Sequence, residues 1–525
     1  MFKSHFSLTS NLSIVLILIL ITFITYMNIL PNQLFYDDEE LIYKNTYVQN
    51  LRFSPRFFTE NMIAGAGKTS NMYRPVLLTS FAIDYLIWGG SPAGFHLTSI
   101  FLHAANSVLI FFLITKLFGK RLLAALTSIL FTIHPVQTEA ITYASGRTDP
   151  LFTFFCLISL LFFLSSLTIR KDRLGKYLLS LFFFILALLS KEAAMILPFL
   201  VGLIYLVTYH KDKLNRTQLI KIFSPFIFID ILYLVLRLSI LNFGNILNFY
   251  QTANSYSQNI SIRIFTFTKV FFEYIGILLF PKDLIFARDI QFVTSFINPW
   301  VILFFLFVGI LLLISIIFWK ENKLFLFGFF WFFITLAPVS GIIPINNIIA
   351  EHYLYLPSLA FFLICAYFFI YLWNKFPNPS QQIFLMIILV FIFIALSTRT
   401  IIRNLDWRDP ITFYTKSLSQ SPWNVSMRHN LAMTYADKGE IDRAIKEYKT
   451  LISLADVYPN THHNLADAYK VKGQYKEAEE EYMKALKIDP NFYFSYYGLI
   501  DLYQKTGEKE KLEEIMKKIQ KLKLR

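Results

Sequence analysis

Long apolar runs alternate with short polar connections through the first 405 residues of the chain. A membrane-spanning helix needs about 17 to 25 predominantly apolar residues. Runs of about this length centre on residues 14–30, 95–117, 122–136, 150–169, 176–190, 192–209, 221–243, 299–319, 323–340, 350–373 and 382–398. The pattern predicts an all-α polytopic membrane bundle with about eleven spans.

Every second connection between these runs is basic. Lysine and arginine cluster near residues 116–121, 170–176, 211–221, 320–323 and 375. Because short cytoplasmic connections are enriched in these residues, we expect a cytoplasmic N-terminus and a retained first span. The segments predicted to lie outside the cytoplasm are 31–93, 134–149, 190–192, 341–352 and the tail. This alternation requires that the apolar stretch 264–280 does not cross, which predicts a re-entrant or interfacial helix there.

The tail repeats with a period of 34 residues. Leucine, tyrosine, glycine and alanine recur in register at Leu431, Tyr435, Gly439, Ala444, Leu465, Tyr469, Gly473, Ala478, Leu499, Tyr503 and Gly507. This period and these residue types are typical of tetratricopeptide repeats, which pack helix pairs into a solenoid with a concave binding surface. We therefore expect the tail to pack through these side chains.

Composition divides the chain at the same place. The formal net charge is +14 and 16% of all residues are charged, against about 25% in soluble domains, which excludes one uniform soluble globule. Charged residues concentrate in the tail, so we predict a membrane domain over 1–405 and an extracytoplasmic tetratricopeptide domain over 406–525. The basic excess fits cytoplasmic loops and does not indicate nucleic acid. Cys156 and Cys365 lie in apolar runs and indicate no disulfide or metal site.

Four consecutive carboxylates, Asp37 to Glu40, follow the first span by a few residues. They are predicted to lie at the outer edge of the bilayer, where adjacent carboxylates raise each other's proton affinity. Such a group suits general-base catalysis. A solvated acidic collar without chemistry is the alternative that this segment alone leaves open.

Further ionisable and aromatic residues fall in the other outer segments. They are Arg74, His134, Glu139, Arg147, Asp149, Lys191, Glu192, Glu351, His352, Tyr353 and Tyr355. Cations at this depth suit a lipid phosphate, while the carboxylates are left for a second substrate. This layout is expected of a glycosyltransferase that takes its sugar from a polyprenyl phosphate. For Lys191 and Glu192, a simple ion pair that stabilises a hairpin is the alternative.

Short motifs run in a recognisable order along the chain. They are Tyr36-Asp37-Asp38, Tyr73-Arg74-Pro75, Phe95-His96-Leu97, Leu102-His103-Ala104, His134-Pro135-Val136-Gln137-Thr138-Glu139-Ala140, Gly146-Arg147-Thr148-Asp149, Ser190-Lys191-Glu192 and Glu351-His352-Tyr353-Leu354-Tyr355-Leu356-Pro357-Ser358. With the repeats that follow, this order resembles the transmembrane and tetratricopeptide-repeat protein O-mannosyltransferases. The resemblance covers nearly the whole chain. It implies a GT-C membrane fold, a polyprenyl-phosphate-linked sugar donor, and transfer to Ser or Thr hydroxyls of proteins outside the cytoplasm.

The resemblance also suggests roles for individual residues. Asp37 is then the catalytic base and Asp38 its neighbour, which orients the acceptor or tunes Asp37. Two departures from the family pattern are Glu39 and Glu40, which lengthen the acidic run, and Gln137, which replaces a histidine. Because the acidic run is longer, the residues leave open which carboxylate acts.

We hypothesise an inverting transferase of the bacterial inner membrane. Asp37 deprotonates the acceptor, and Arg74, Arg147 or Lys191 stabilises the departing phosphate, with the other outer-face residues, including Glu39, in support. The lipid is undecaprenyl or dolichyl phosphate, and mannose is the family default. No metal is required, although Asp37, Asp38 and Glu39 together offer oxygen ligands for a divalent cation.

Two other functions are compatible with the sequence. The same chemistry could act on a cell-envelope glycolipid or polysaccharide, because sites and not folds set substrates. A membrane-anchored tetratricopeptide scaffold without enzymatic activity would explain the tail, but it would not explain the charges that cluster on the outer face.

Overall fold

The structure is a computed structural model that describes residues 10–168, 172–208, 216–243, 254–318, 323–345 and 347–523. The chain divides into two compact units, Met1–Arg408 and Asp409–Arg525. The first nine residues and parts of three predicted cytoplasmic connections, near 170–176, 211–221 and 320–323, lie outside the described residues.

The first unit is a bundle of α-helices joined by turns and short 3₁₀ or π segments. Its α-helices are α1 (Asn11–Tyr26), α2 (Pro75–Trp88), α3 (Pro92–Phe118), α4 (Arg121–Ile133), α5 (Thr138–Thr142), α6 (Thr148–Thr168), α7 (Arg173–Ser190), α8 (Leu197–Thr208), α9 (Arg216–Leu238), α10 (Ser255–Gln258), α11 (Ile260–Leu279), α12 (Pro299–Ile317), α13 (Lys323–Leu336), α14 (Ser358–Lys375) and α15 (Pro379–Leu405). Proline begins α2, α3, α12 and α15, where its fixed φ angle suits a helix start. Apolar side chains from most of these helices form one continuous core.

Eight helices in the described part of the chain are long and apolar enough to cross a membrane. All eight coincide with predicted spans. The other three predicted spans form the shorter apolar helices Arg121–Ile133, Glu192–Thr208 and Lys323–Val339. One of these, α4, ends just before His134-Pro135, since the residue before a proline disfavours helical backbone. The predicted polytopic helical bundle is confirmed, with eight rather than eleven helices of full crossing length.

Two helices near the predicted outer face differ in how well the sequence anticipated them. Helix α11 covers the stretch expected to be re-entrant or interfacial; it carries Arg263, Lys269 and Glu273 and is not among the eight. Its non-crossing character stays a prediction. Helix α2 was not anticipated, because its segment lay inside the predicted loop 31–93. The apolar face of α2 instead builds a smaller second core with residues of that loop.

Buried amide groups fix the end of the first span against the last helix of the unit. The Asn404 side-chain amide donates to Thr25 O at 3.0 Å and to Asn28 Oδ1 at 2.8 Å, and its oxygen accepts from Thr142 Oγ1 at 3.1 Å. Asn28 in turn donates to Ile401 O at 2.8 Å. The acidic segment therefore begins from a point held by α1, α15 and the outer loop 134–149.

The second unit consists of stacked helix pairs. Its helices are α16 (Pro410–Gln420), α17 (Val425–Asp437), α18 (Ile441–Leu454), α19 (Pro459–Val471), α20 (Tyr475–Ile488), α21 (Tyr493–Thr506) and α22 (Lys509–Lys523). The alanines, leucines and most of the tyrosines that recur every 34 residues are buried in one core. Gly439, Gly473 and Gly507 have φ angles of +76°, +76° and +78° at the turns that follow the first helices, a conformation that favours glycine. The predicted tetratricopeptide solenoid is confirmed.

We expect the second unit to lose stability as the pH rises, because of His462. This residue is buried, and its ring nitrogens lie 2.5 Å from Glu481 Oε2 and 2.6 Å from Asp456 Oδ1. Burial favours the neutral ring, but the two carboxylates outweigh it, so the pKa of His462 is raised. The stabilisation is therefore fully present below the unfolded-state pKa of about 6.5 and is lost as pH rises through the folded-state value.

Hydrogen exchange of α19 and α20 in the whole chain measures this effect. His462→Gln should lower their protection at low pH by about 1.5 kcal/mol, the low end for a hydrogen bond to a charged group, and should flatten the pH dependence. His429 of the preceding repeat has no carboxylate contact among the described residues, so His429→Gln is the matched control. An equal pH dependence in wild type and His462→Gln would contradict the expectation.

Candidate active site

The two aspartates of the acidic segment have different surroundings. Asp37 is exposed, whereas Asp38 is buried and its Oδ1 accepts hydrogen bonds from the backbone N–H of Ser145, at 2.7 Å, and from the Ser145 hydroxyl. Tyr36, directly before them, has a φ angle of +62°. This left-handed conformation is strained for a tyrosine and persists only when its surroundings hold it. The segment is thus fixed so that one carboxylate points inward and the other outward.

Aromatic rings surround the acidic segment. Tyr36 contacts Phe286 edge-on, with ring centroids 5.6 Å apart, and Tyr143 stacks on Trp407 at 5.2 Å. Phe286 lies edge-on to Trp407 at 5.4 Å, and Phe35 lies 6.4 Å from the same ring. The four segments that supply these rings are distant in sequence. Their packing holds Tyr36 in its strained conformation.

Both aspartates have an increased proton affinity. Burial raises the pKa of Asp37, while the nearby Tyr143 hydroxyl opposes the increase. Burial also raises the pKa of Asp38, to about 7, although the hydrogen bonds from Ser145 favour its charged form. Because the aspartates are adjacent, they titrate as a coupled pair. A carboxyl group with a pKa near the working pH is suited to proton transfer.

We expect the reaction rate of this site to fall below pH 7. Asp38 with a pKa of about 7 is about nine-tenths protonated at pH 6, so the rate there should be about tenfold below its plateau. The physical reason is that protonation weakens the hydrogen bonds from Ser145 that hold the segment. The rate of the sugar transfer that the sequence predicts, measured from pH 5.5 to 8.5, should show this acidic limb. In Asp38→Asn the limb should move to lower pH, and an unmoved limb would contradict the assignment.

Glu39 and Glu40 are bound on the surface rather than in the site. Glu39 is half exposed and forms an ion pair with Lys44 at 2.7 Å, and Glu40 pairs with Lys68. Exposed pairs of this kind contribute little energy. These two carboxylates therefore differ from Asp37 and Asp38 in both environment and partners.

Two ion pairs join the other outer segments. Arg74 donates through Nη2 to Glu192 Oε1 at 2.9 Å and through Nε to Glu192 Oε2 at 3.3 Å. Lys191 donates to both oxygens of Asp149, at 2.7 and 2.9 Å. The Lys191 ammonium also lies 5.7 Å from the centre of the Tyr353 ring. Four residues from three of the predicted motifs are thus brought into contact as cation and carboxylate.

Arg147 lies inside the protein. It is fully buried, pairs with Asp84 Oδ2 of α2 at 2.6 Å, and donates to Phe95 O at 2.6 Å. Its guanidinium also lies 4.8 Å from the centre of the Phe81 ring. These contacts leave little room for a phosphate at Arg147, so the structure separates this predicted phosphate ligand from Arg74 and Lys191, which have other partners. The preceding residue, Gly146, packs closely against the backbone at Glu139. A Cβ at this position would lie 2.6 Å from Glu139 O, so only glycine fits there without a shift of the backbone.

A second charged network links the loop 134–149 to the segment before α14. Glu139 accepts from the backbone N–H of His352 at 3.1 Å and lies 2.7 Å from its Nδ1. Glu351 is buried and contacts Arg403 of α15 at 3.5 Å. Burial raises the pKa of Glu351, which Arg403 opposes. These carboxylates tie helix ends together, and each already has a cationic or N–H partner.

His134 and Tyr355 lie among packed helices. The Nδ1 atom of His134 accepts from Val136 N at 3.2 Å and its Nε2 donates to Leu278 O at 3.2 Å, which holds the turn after α4. The Tyr355 hydroxyl is buried 2.8 Å from His103 Nδ1 and accepts from Asn106 at 3.1 Å. Both residues position backbone near the site without facing the exposed carboxylate.

The four predicted outer segments of the membrane unit are joined by direct contacts. Asp38 binds Ser145, Asp149 binds Lys191, and the adjoining Glu192 binds Arg74. The segment 351–358 closes the chain of contacts through His352 and Tyr353. Across the described ranges, no group of three or more His, Cys, Asp or Glu side chains is arranged to hold a metal ion.

Sequence reasoning missed several residues of this face. Tyr143 and Trp407 were missed because the outer loop and the tail were searched mainly for ionisable residues, and Ser145, which directly precedes the Gly146-Arg147 motif, was given no role. A polar stripe on α9, formed by Asp230, Tyr233 and Arg237, was also missed, since its span was considered only as an apolar run. Charged residues inside a span at spacings of three and four positions are a signal that could have revealed it.

Family models match both parts of the chain. A model described as dolichyl-phosphate-mannose-protein mannosyltransferase matches residues 69–235. Models of the tetratricopeptide repeat match residues 425–458 and 459–492. The first match contains Arg74, Arg147, Lys191 and α9 as far as residue 235, and the second pair covers α17 to α20.

Curated relatives of the chain include protein O-mannosyl-transferases of animals. A protein O-mannosyl-transferase of Caenorhabditis elegans is 27% identical over 84% of this chain and 63% of its own length. Human protein O-mannosyl-transferase TMTC4 is 26% identical over 72% of this chain and 57% of its own length. The chain thus spans less than two thirds of these relatives. The predicted resemblance to the transmembrane and tetratricopeptide-repeat O-mannosyltransferases is confirmed, and the chain is a membrane protein.

A solved structure also resembles the chain at a distance. The oligosaccharyltransferase AglB of Archaeoglobus fulgidus, solved with an inhibitory peptide and a dolichol-phosphate, matches with a TM-score of 0.43 and 12% identity. The match covers 81% of this chain and 60% of AglB.

Proposed function

We propose that this chain, a relative of the protein O-mannosyl-transferases, is a membrane glycosyltransferase that modifies proteins. It moves a sugar from a polyprenyl phosphate to Ser or Thr hydroxyls with inversion at the anomeric carbon. We infer that the sugar is mannose because the relatives are mannosyl-transferases. The observation that carries this proposal is the different environment of the two neighbouring aspartates. Asp38 is fixed by hydrogen bonds from Ser145, and Asp37 is exposed beside it.

Asp37 acts as the general base. Its carboxylate is accessible to an incoming hydroxyl and has a raised pKa, whose first cause is burial of its surroundings. As the hydroxyl oxygen attacks the anomeric carbon, Asp37 takes its proton and the bond to the phosphate oxygen breaks. Asp38 holds the segment through Ser145 and tunes Asp37 by its adjacent charge. Fixing the base and both substrates supplies a large part of the rate.

The donor phosphate lies near the outer ion pairs. Arg74 and Lys191 are the predicted cations that lie toward this face, and their guanidinium and ammonium groups retain N–H donors beyond those used by Glu192 and Asp149. Arg147 is not part of this proposal, because its contacts are satisfied inside the protein. Stabilising the negative charge that develops on the leaving phosphate lowers the barrier to transfer.

The tetratricopeptide unit recruits the polypeptide acceptor. Its first helices α19 and α21 bring His463 and Phe494 together, with ring centroids 6.2 Å apart, and Phe494 and Tyr497 are largely exposed. Stacked helix pairs bind extended peptides in their concave surface, and exposed aromatic rings are frequent anchors for such contacts. In this proposal the unit lies outside the cytoplasm, and the membrane is the bacterial inner membrane.

Mass spectrometry of extracytoplasmic peptides tests the proposal. Cells that express the chain should carry hexose on defined Ser or Thr residues, and cells with Asp37→Asn, Asp38→Asn should lose it. The control variant is Glu39→Gln, Glu40→Gln, whose altered carboxylates lie in surface ion pairs. A chain that ends at Arg408 should lose protein glycosylation if the repeats recruit acceptors. An unchanged glycopeptide profile in the aspartate variant would refute the proposal and favour a glycolipid acceptor or a scaffold.

A further inference from the structure

A polar stripe runs along α9 toward the outer face. Asp230, Tyr233 and Arg237 are spaced three and four residues apart, so they share one side of the helix. Beside and behind this stripe the helix presents exposed apolar side chains, at Ile227, Phe228, Ile231, Leu234, Val235 and Leu238. Polar residues within a membrane span are costly and mark binding sites by default.

Arg237 is held in place by neutral partners. It is 9% exposed, donates to Leu241 O and to Asn71 O, and its guanidinium lies 5.6 Å from the centre of the Tyr73 ring. Among the described residues no carboxylate lies within ion-pair distance of it. An arginine has five N–H donors, so the two carbonyls orient the group without neutralising its charge. A buried arginine that is oriented but not neutralised is suited to bind an anion.

Tyr233 supplies a second donor at the same place. The side chain is 8% exposed, and its buried hydroxyl has no hydrogen-bond partner within the described residues. It interacts electrostatically with Arg237, Arg74 and Glu192. A buried hydroxyl without a partner costs free energy unless something accepts its hydrogen bond. Because two arginines are among the charged groups that act on Tyr233, we expect the acceptor to be an anion.

We propose that Arg237, Tyr233 and Arg74 bind the phosphate of the lipid-linked donor. This inference rests on the proposed function and identifies the phosphate subsite within it. Arg74 is already paired with Glu192, whereas Arg237 has no carboxylate within ion-pair distance among the described residues, so the charge of Arg237 is available to the negatively charged phosphate. The polyprenyl chain then lies along the exposed apolar side of α9, so that phosphate and lipid are recognised by one helix.

Binding of radiolabelled farnesyl phosphate to the purified full-length chain in detergent tests the inference. Tyr233→Phe removes only the hydroxyl and keeps the ring that packs against its neighbours, so this variant should fold. It should bind about tenfold more weakly, as expected for one lost hydrogen bond to a charged group. Arg237→Gln should lose tenfold or more. Unchanged affinity in both variants would overturn the inference.

The neighbouring helix α7 offers matched controls, one of which contacts α9. The Tyr177 hydroxyl donates to Ile222 O near the beginning of α9 at 2.9 Å, and Arg173 is an exposed cation at the start of α7. Tyr177→Phe and Arg173→Gln should bind the probe as wild type does. If Tyr177→Phe weakened binding as much as Tyr233→Phe, the loss would reflect general damage to α9 and would contradict a local phosphate contact.

Competition distinguishes a lipid phosphate from free phosphate. Unlabelled farnesyl phosphate should displace the probe at concentrations at which inorganic phosphate and farnesol do not. Displacement by inorganic phosphate at equal concentration would show a site for free phosphate, and displacement by farnesol would show that the phosphate is not recognised; both refute the inference. The assay involves no transfer, so Asp37→Asn should bind the probe normally. The binding assay therefore tests the phosphate subsite, and the transfer assay tests Asp37 as the base, so the two can fail independently.

Discussion

Asp37→Asn should lower the rate of sugar transfer by about 10² to 10⁴, the contribution of a positioned general base. The asparagine keeps the size of the exposed side chain but cannot take the proton of the attacking hydroxyl. Because the change is at the surface of the site, we expect no loss of folding and no change in donor affinity. Single-turnover transfer to a Ser/Thr peptide, measured with saturating lipid-linked donor, isolates this step.

Glu39→Gln is the matched control for this experiment. It removes a neighbouring carboxylate that lies in an exposed pair with Lys44, so its rate should stay within about twofold of wild type, since such pairs contribute little. Asp38→Asn should give an intermediate loss together with the shift in pH dependence. A wild-type rate for Asp37→Asn combined with a complete loss in Asp38→Asn would assign the base to the buried aspartate instead.

The largest expected effect on stability is at Arg147. Arg147→Ala would leave Asp84 buried without the guanidinium that lies 2.6 Å from it. Breaking a buried ion pair by removing one partner typically costs about 3 to 5 kcal/mol. Thermal unfolding of the purified chain in detergent should show a strongly lowered midpoint. The same loss is expected for Asp84→Ala.

The double variant separates charge from packing. In Arg147→Ala, Asp84→Ala neither charge remains unpaired, so the combined loss should be smaller than the sum of the single losses. Lys191→Ala provides a comparison, since its pair with Asp149 is less completely buried. If the two single losses simply added, the pair would not be coupled, and the structural role assigned to Arg147 would be wrong.

The hydrophobic pattern was sufficient to predict a membrane helical bundle, because a helix can span the lipid only if its apolar run is long enough. The 34-residue period was equally informative, since each repeat places the same side chains in the same core. Helix α2 was missed because its 14 residues are fewer than a span requires, although they are enough to cover the loop 31–93 and to supply Asp84. Run length decides whether a helix can cross, but not whether a short apolar segment becomes a helix.

For the site, the sequence indicated which segments share a face but not how their charges pair. The alternation of basic connections placed Arg74, Lys191 and Arg147 on one side. Whether each cation faces solvent or a carboxylate depends on helix rotation, which side-chain packing determines. Arg147 points inward because Asp84 and Phe81 lie there. The α9 residues were missed because averaging over a span hides three polar positions among many apolar ones.

The contacts of Asn404 also bear on how the protein is made. They join residues near the start of the chain to the last helix of the membrane unit, across 376 positions between Asn404 and Asn28. Contacts of such high sequence separation form late, because the intervening chain must first be ordered. A growing chain that has inserted only its early helices therefore lacks the support beneath the acidic segment. We expect catalytic competence to arise only after the final membrane helix has been synthesised and inserted, so that unfinished chains cannot modify their neighbours.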